Sequence, residues 1–199
     1  RLIPGGEVHL VPSAYPDRDH SGLIHRTKVR FEFTSEEKVF AKSWLKKRGW
    51  QEGEPFVCLL VRDATYLASL RVDSEKGLKE CSYQNHRDFD IETYIPAVQS
   101  LVEDGFWVIR MGKMMSKPMS WNHSKVIDYP FVEDQDDLMD IWLSANSHLF
   151  ISTACGLDGI TDVYRRPLLF INALPLSHWF SWSNNIFVPK HLVWKETGK

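Results

Sequence analysis

Along the 199-residue chain the apolar positions gather in five short runs: FVCLLV at 56–61, FWVIRM at 106–111, VIDY at 126–129, HLFIS at 148–152 and LLFIN at 168–172. FVCLLV predicts a strand covered on both faces, FWVIRM a second buried strand, VIDY a shorter third, and HLFIS and LLFIN a fourth and fifth. Between them the spacing turns helical. Thr34 or Ser35 with Glu36 and Glu37 predicts a helix start, Val39, Phe40 and Trp44 supply its apolar stripe, and Gly49 stands at its C-terminal stop. Asp90 opens a second helix, with Ile95, Val98, Leu101 and Val102 on one face, Pro96 tolerated in the first turn and Gly105 closing it. Residues 136–146 predict a third, with Leu138, Ile141, Trp142 and Ala145 inward, and 156–165 a short fourth that Pro167 ends. Only VIDY lacks a convincing helix before it.

Alternating helices and buried strands predict an α/β fold, a Rossmann-like open parallel sheet with helices on both faces and right-handed crossovers. Residues 1–34 carry Pro4, Gly5, Gly6, Pro12, Pro16 and Gly22 without sustained period and read as a linker or interdomain connection; 35–199 read as the domain itself. The start RLIPGGEVHL has neither Met nor a signal peptide's apolar core, and the end VPKHLVWKETGK stops among charges, so the chain reads as a fragment or one domain of a larger enzyme. The polar stretch that follows Arg62 and runs to Asp90 is longer than ordinary connections in compact domains, which marks it as functional or mobile.

Composition narrows the function. Hydrophobic residues at 43% and charged residues at 25% are ordinary globular values, which removes disordered and fibrous classes. A net charge of −2 argues against a nucleic-acid binder, which needs an excess of Lys and Arg to displace counterions from phosphates. Cys58, Cys81 and Cys155 form no C-x-x-C pair, so neither a disulfide framework nor a zinc ribbon is indicated and a reducing, cytoplasmic setting fits best. No apolar run approaches the roughly 18 to 20 residues of a membrane helix, so the expected location is cytoplasmic, with peripheral attachment to the inner face of the membrane as the variant of it.

In open parallel sheets ligands bind beyond the carboxyl ends of the strands, at the switch in strand order, so chemistry is expected just after each run. Arg62 and Asp63 follow the first, Arg110 and Gly112 close the second, Asp128 ends the third, and Ser152, Thr153, Ala154, Cys155 and Gly156 leave the fourth. Two arginines at neighbouring strand ends suit an anion, because the planar guanidinium makes paired hydrogen bonds to phosphate or carboxylate; internal pairing, of Arg62 with Asp63 or Asp128 for example, is the competing reading. The 152–156 turn enters a helix, whose first amides favour an anion, with simple capping as the alternative. No G-x-G-x-x-G or G-x-x-x-x-G-K-[ST] is present. Asp88-Phe89-Asp90 is a D-x-D that either holds a metal or caps a helix through Asp90, and Glu133, Asp134, Asp136 and Asp137 stand at a helix start, where carboxylates favour the dipole. His86 lies in the long polar stretch near the strand ends. Cys155 admits a cysteine-hydrolase reading, and Trp179, Phe180 and Trp182 an aromatic docking surface.

The runs VCLLVRD, DIETYIPAVQSLVEDGFWVIRMGK, VIDYP and DIWLSANSHLFISTACGLDGITDVYRRPLLFINALPL resemble a group of bacterial glycosyltransferases of the GT-B type, similar in style to O-fucosyltransferases, over about residues 34–195. The resemblance implies the donor-binding half of a two-domain enzyme, with an acceptor domain upstream. It implies that Arg62 contacts the donor phosphate or leaving group and that Ser152, Thr153, Gly156 and Asp158 surround the nucleoside diphosphate. Leu60 departs from the pattern, which has His two residues before the Arg. The implied reaction is transfer of a sugar from a GDP- or UDP-linked donor to a glycan, lipid or protein acceptor in glycan biosynthesis, without metal or further cofactor. Arg110, Gly112 and Asp128 complete the expected donor site, and Asp63, beside Arg62, is the candidate general base. A non-catalytic nucleotide- or partner-binding domain and a nucleotide-sugar epimerase are the alternatives.

Overall fold

The structure, a computed structural model, describes Gly22 and residues 26–69, 86–174, 185–194 and 196–198. Most of the expected linker at 1–34, Cys81 and the aromatics Trp179, Phe180 and Trp182 lie outside the described residues.

Six strands are formed: β1 (Phe56–Leu60), β2 (Trp107–Arg110), β3 (Val126–Asp128), β4 (Leu149–Ser152), β5 (Leu168–Ala173) and β6 (Ile186–Pro189). They make one sheet in the order β3-β2-β1-β4-β5-β6, with every neighbouring pair parallel. The chain runs outward from β1 through β2 to β3, then returns to place β4 on the other side of β1, so the switch in strand order lies between β1 and β4. That is where a ligand cleft is expected in a sheet of this kind. The expected α/β Rossmann-like sheet is therefore present, extended by β6, which the pattern did not show. β6 lies at the sheet edge with Ile186 and Val188 exposed, and a short half-wet strand ending at Pro189 leaves no buried run to read.

The helices are α1 (Ser35–Lys46), α2 (Thr65–Ser69), α3 (Ile95–Glu103), α4 (Asp137–Asn146) and α5 (Asp158–Val163), with a 3-10 turn at Ile91–Tyr94 leading into α3. α1 starts at a capping box: Thr34 Oγ1 accepts from the Glu37 amide at 3.2 Å, and Glu37 Oε2 accepts from the Thr34 amide at 2.7 Å. Asp90 caps the 3-10 turn through the Glu92 amide, Pro96 sits in the first turn of α3, and Asp136 caps α4 through the Leu138 amide.

Alternate side chains of β1 divide between two cores. Phe56, Cys58 and Leu60 pack with Trp44, Leu45, Trp142 and Leu143 on the α1 and α4 face; Val57, Leu59 and Val61 pack with Val98 and Val108 on the α3 face. Double-sided burial is what a continuous apolar run encodes. In two helices the buried stripe overlaps the suggested one only in part, keeping Trp44 in α1 and Trp142 and Ala145 in α4. In α1 the buried residues are Ala41, Trp44 and Leu45, while Val39 and Phe40 are exposed; in α4 they include Met139, Trp142, Leu143 and Ala145, while Ile141 is exposed. Both helices are apolar over so wide an arc that periodicity alone does not choose the buried stripe. Among the described residues no helix is long and apolar enough to cross a membrane.

Candidate active site

Beyond Leu60 the chain leaves the sheet as Val61-Arg62-Asp63, next to the turn that leaves β4. Two hydrogen bonds join these exits: the Arg62 amide donates to Thr153 Oγ1 at 2.9 Å, and the Thr153 amide donates to the Leu60 carbonyl at 3.1 Å. Thr153 thereby fixes the switch point through its hydroxyl. The Arg62 side chain is buried and pairs with Asp88, Nη1 to Oδ1, at 3.1 Å. Residue 88 arrives there because the Phe89 amide donates to the Arg62 carbonyl at 3.0 Å, drawing the end of the long polar stretch back over β1. Internal pairing of Arg62 is thus observed, with Asp88 rather than Asp63 or Asp128. Burial raises the Asp88 carboxyl against the opposing pull of Arg62.

The turn after β4 closes on its own carboxylate. Asp158 Oδ2 accepts from Ser152 Oγ at 2.9 Å and from the Cys155 amide at 2.7 Å, while the Ala154 amide donates to Ser152 Oγ at 3.0 Å. Ala154 adopts a positive φ of 66°, an uncommon conformation for a residue with a side chain, and these bonds hold it there. Burial pushes the Asp158 carboxyl up to about 6, with the Cys155 and Ser152 bonds opposing. The turn is capped from within: Ser152 and Asp158 face each other, and of the donor-site residues expected here only Gly156 borders the open cleft. Burial, reinforced by Asp158, pushes the Cys155 thiol up to about 12, which removes the thiolate that a cysteine hydrolase requires at neutral pH.

Asp63 serves as a tether. Its Oδ1 accepts from the Thr65 amide at 2.9 Å, and its Oδ2 from the Ser116 amide and hydroxyl at 2.8 and 3.0 Å. Burial alone would raise its carboxyl, but these bonds outweigh it and the net shift is downward. A carboxylate so satisfied and acidified is a poor proton acceptor, so the geometry turns the general-base expectation away from Asp63.

A cleft of about 610 Å³ opens over the switch point, within the size of small-molecule sites. Arg62, Arg87, Lys113 and Asp140 border it among its charged residues, and Leu60, Met115 and Leu157 contribute apolar surface. Gly112, with φ 143°, lets the chain turn so tightly after β2 that an added Cβ would meet Met115 Cε at 2.1 Å. Arg110 lies elsewhere. It is almost fully buried, donates from Nη1 to the Lys117 carbonyl at 2.8 Å and pairs with Asp128 at 3.2 Å. Asp128, raised by burial, also accepts from the Met119 amide at 2.7 Å. Arg110 borders a second hollow of about 330 Å³, with Asp63 on the boundary of both, so the two arginines do not converge on one ligand position.

Three cleft residues escaped the sequence reading. Arg87 donates from Nη2 to the Ala154 carbonyl, and its Nε is buried without a partner. Lys113 pairs with Asp137. Asp140 stands in the otherwise apolar LMDIWL of α4, and that isolated charge was the available signal. The D-x-D carries no metal cluster: Asp88 pairs with Arg62 and Asp90 with Lys117, and among the described residues no group of three His, Cys, Asp or Glu could hold a metal ion.

No protein-family model and no curated protein matches the sequence. Among solved structures, a glycosyl transferase family 9 protein from Veillonella parvula DSM 2008 superposes with a TM-score of 0.52 over 81% of this chain, at 10% identity. The match takes in 42% of that protein, so the chain spans less than half its length. At this identity the likeness concerns the fold: the open parallel sheet of this chain is an architecture that a glycosyltransferase also uses.

Proposed function

We propose that the chain is the nucleotide-sugar-binding half of a glycosyltransferase, taking a GDP- or UDP-linked donor in the cleft over β1 and β4 and passing the sugar to a glycan, lipid or protein acceptor held by a second domain. The observation that carries this reading is the placement of the cleft: it opens at the switch point of an all-parallel sheet and is bordered by the cations Arg62, Arg87 and Lys113. The fold shared with a glycosyltransferase supports it.

The chemistry asked of such a site is modest. An acceptor hydroxyl oxygen bonds to the anomeric carbon as the bond to the diphosphate oxygen breaks; the electron pair leaves with the diphosphate, and the hydroxyl proton passes to a base of the domain that holds the acceptor. Fixed cations beside the leaving oxygen stabilise the charge that develops there, and guanidinium groups do so without a metal. Arg62 is held from both sides, by the Asp88 carboxylate and through its own amide on Thr153, so its position is set before a ligand arrives.

Calorimetric titration with GDP, UDP, CMP and ADP, with and without magnesium, tests the reading. One nucleoside diphosphate is expected to bind without magnesium, and Arg62→Ala to weaken it by roughly 1.5 to 3 kcal/mol, the worth of a charge-assisted hydrogen bond. Unchanged affinity in a folded Arg62→Ala protein would remove Arg62 from the site, and silence across the panel would remove the nucleotide.

A further inference from the structure

Tyr66 and Met114 are large side chains that the fold leaves wet beside the main cleft. Tyr66 comes from α2 and Met114 from the loop after β2; both border the cleft, at 43% and 45% exposure. One carboxylate ties the two segments together. Asp63 accepts from the Thr65 amide at the start of α2 and from the Ser116 amide and hydroxyl in the loop after β2. The group that the geometry turns away from proton transfer thus holds two walls of the cleft in place. Rings elsewhere meet a flat or cationic partner: Trp44 lies under Arg48, Phe89 under Lys190, and Phe33 stacks on Tyr164. Among the described residues no ring, guanidinium or ammonium packs on Tyr66, and the hydrogen bond made at this residue uses its backbone carbonyl, which accepts from Ser69 Oγ.

Charge divides the cleft. Arg62 and Arg87 stand near Cys155, at the turn after β4, against the carboxylates Asp88 and Asp158. Beside Tyr66 the Lys113 ammonium stands against two carboxylates, Asp137 and Asp140. A diphosphate is therefore better placed toward the arginines, whose planar forks suit phosphate, than beside Tyr66. What meets Tyr66 and Met114 is uncharged and presents a flat apolar face. In a nucleotide sugar the base has that form: both its faces are apolar, and its polar atoms lie round the edge. A hexose carries hydroxyls all round and offers a smaller apolar face. A base stacked on the Tyr66 ring removes from water the apolar surface that folding leaves there.

Resting on the nucleotide-sugar reading above, we propose that Tyr66 stacks on the base of the nucleotide, with Met114 beside it, while the diphosphate lies toward Arg62 and Arg87. Stacking tolerates any base, so Tyr66 supplies affinity for the nucleoside rather than the choice between guanine and uracil.

The test is calorimetry on the full chain with inorganic diphosphate, GDP, UDP, GDP-mannose and UDP-glucose, using the unsubstituted protein, Tyr66→Ala and Tyr66→Phe. The unsubstituted protein is expected to bind one nucleoside diphosphate more tightly than inorganic diphosphate. Tyr66→Ala is expected to shrink that advantage about tenfold, the loss of one base-aromatic stack, and to leave inorganic diphosphate unchanged. Tyr66→Phe, which keeps the ring, should retain most of the advantage. Equal weakening of all ligands in Tyr66→Ala would show a merely structural residue and overturn the proposal, as would affinities that Tyr66→Ala leaves unchanged. A loss confined to the sugar-linked ligands would place the ring on the sugar and overturn it too. Nucleoside diphosphate bound no better than inorganic diphosphate by the unsubstituted protein would overturn it while leaving an anion site in the cleft, and no binding of any ligand would overturn both this proposal and the nucleotide reading.

Discussion

At the scale of single residues, the turn after β4 is the place where charge and burial are most opposed. Asp158 is buried, and both hydrogen bonds it receives, from Ser152 Oγ and the Cys155 amide, end on the same oxygen, Oδ2. Its carboxyl lies at about 6 against an ordinary 3.8, because burial disfavours the ionised form. The native protein therefore holds a proton that the unfolded chain has released between about pH 4 and pH 6. Stability from this group is present below pH 4 and falls as pH rises to about 6. Asp158→Asn keeps one acceptor oxygen for both donors and carries no charge. It should be more stable than the unsubstituted protein at pH 7.5, by on the order of 2 kcal/mol, with the gap closing by pH 4. Guanidinium unfolding at the two pH values measures it. A less stable Asn variant at pH 7.5 would mean that Arg87 nearby depends on the negative charge. The resemblance grouped Ser152, Thr153 and Asp158 around a ligand, but the residue types alone gave no sign that the carboxylate turns inward on the turn, where its bonds accompany the positive φ of Ala154.

At the scale of elements, local signals were legible and buried faces only in part. Thr34-Ser35-Glu36-Glu37 announced a helix start, and the structure shows both halves of the capping box. Thr34→Ala removes the acceptor for the Glu37 amide and should cost about 1 kcal/mol, read from the urea midpoint. Thr34→Ser, which keeps the hydroxyl, should cost a few tenths at most. An equal loss in both variants would place the effect in packing of the Thr methyl instead. The strands at 56–61 and 106–111 were legible because burial on both faces writes itself as an unbroken apolar run, and those at 126–129, 148–152 and 168–172 as shorter apolar runs, although β3 at the sheet edge and β5 are only partly buried. The buried stripes of α1 and α4 were legible only in part: Trp44, Trp142 and Ala145 lie inward as their spacing suggested, but Ala41 and Met139 face the core while Val39 and Ile141 face water. Which arc is chosen depends on the sheet each helix lies against, and that partner is distant in sequence. The same limit hid Arg87, Lys113 and Asp140, which come from three segments that only the folded sheet brings to one cleft.

At the scale of the whole molecule, the cations around the switch point are matched by carboxylates: Arg62 by Asp88, Lys113 by Asp137, and Arg110 in the neighbouring hollow by Asp128. The chain as a whole carries a net charge of −2. Such a molecule has little long-range field to draw in an anion, so a nucleoside diphosphate would be held by short contacts in the cleft rather than by the protein's overall charge. Ionic strength separates these cases, because salt screens exposed and distant charges far more than buried pairs. Affinity for whichever diphosphate binds should fall by no more than about threefold between 0.05 and 0.5 M NaCl, a range that shortens the screening length from roughly 14 Å to roughly 4 Å. A fall of tenfold or more would place the binding energy in exposed lysines at the rim. It would move the anion away from Arg62, whose side chain lies buried against Asp88. Because the test compares one protein at two salt concentrations, no substitution can confuse lost binding with lost folding.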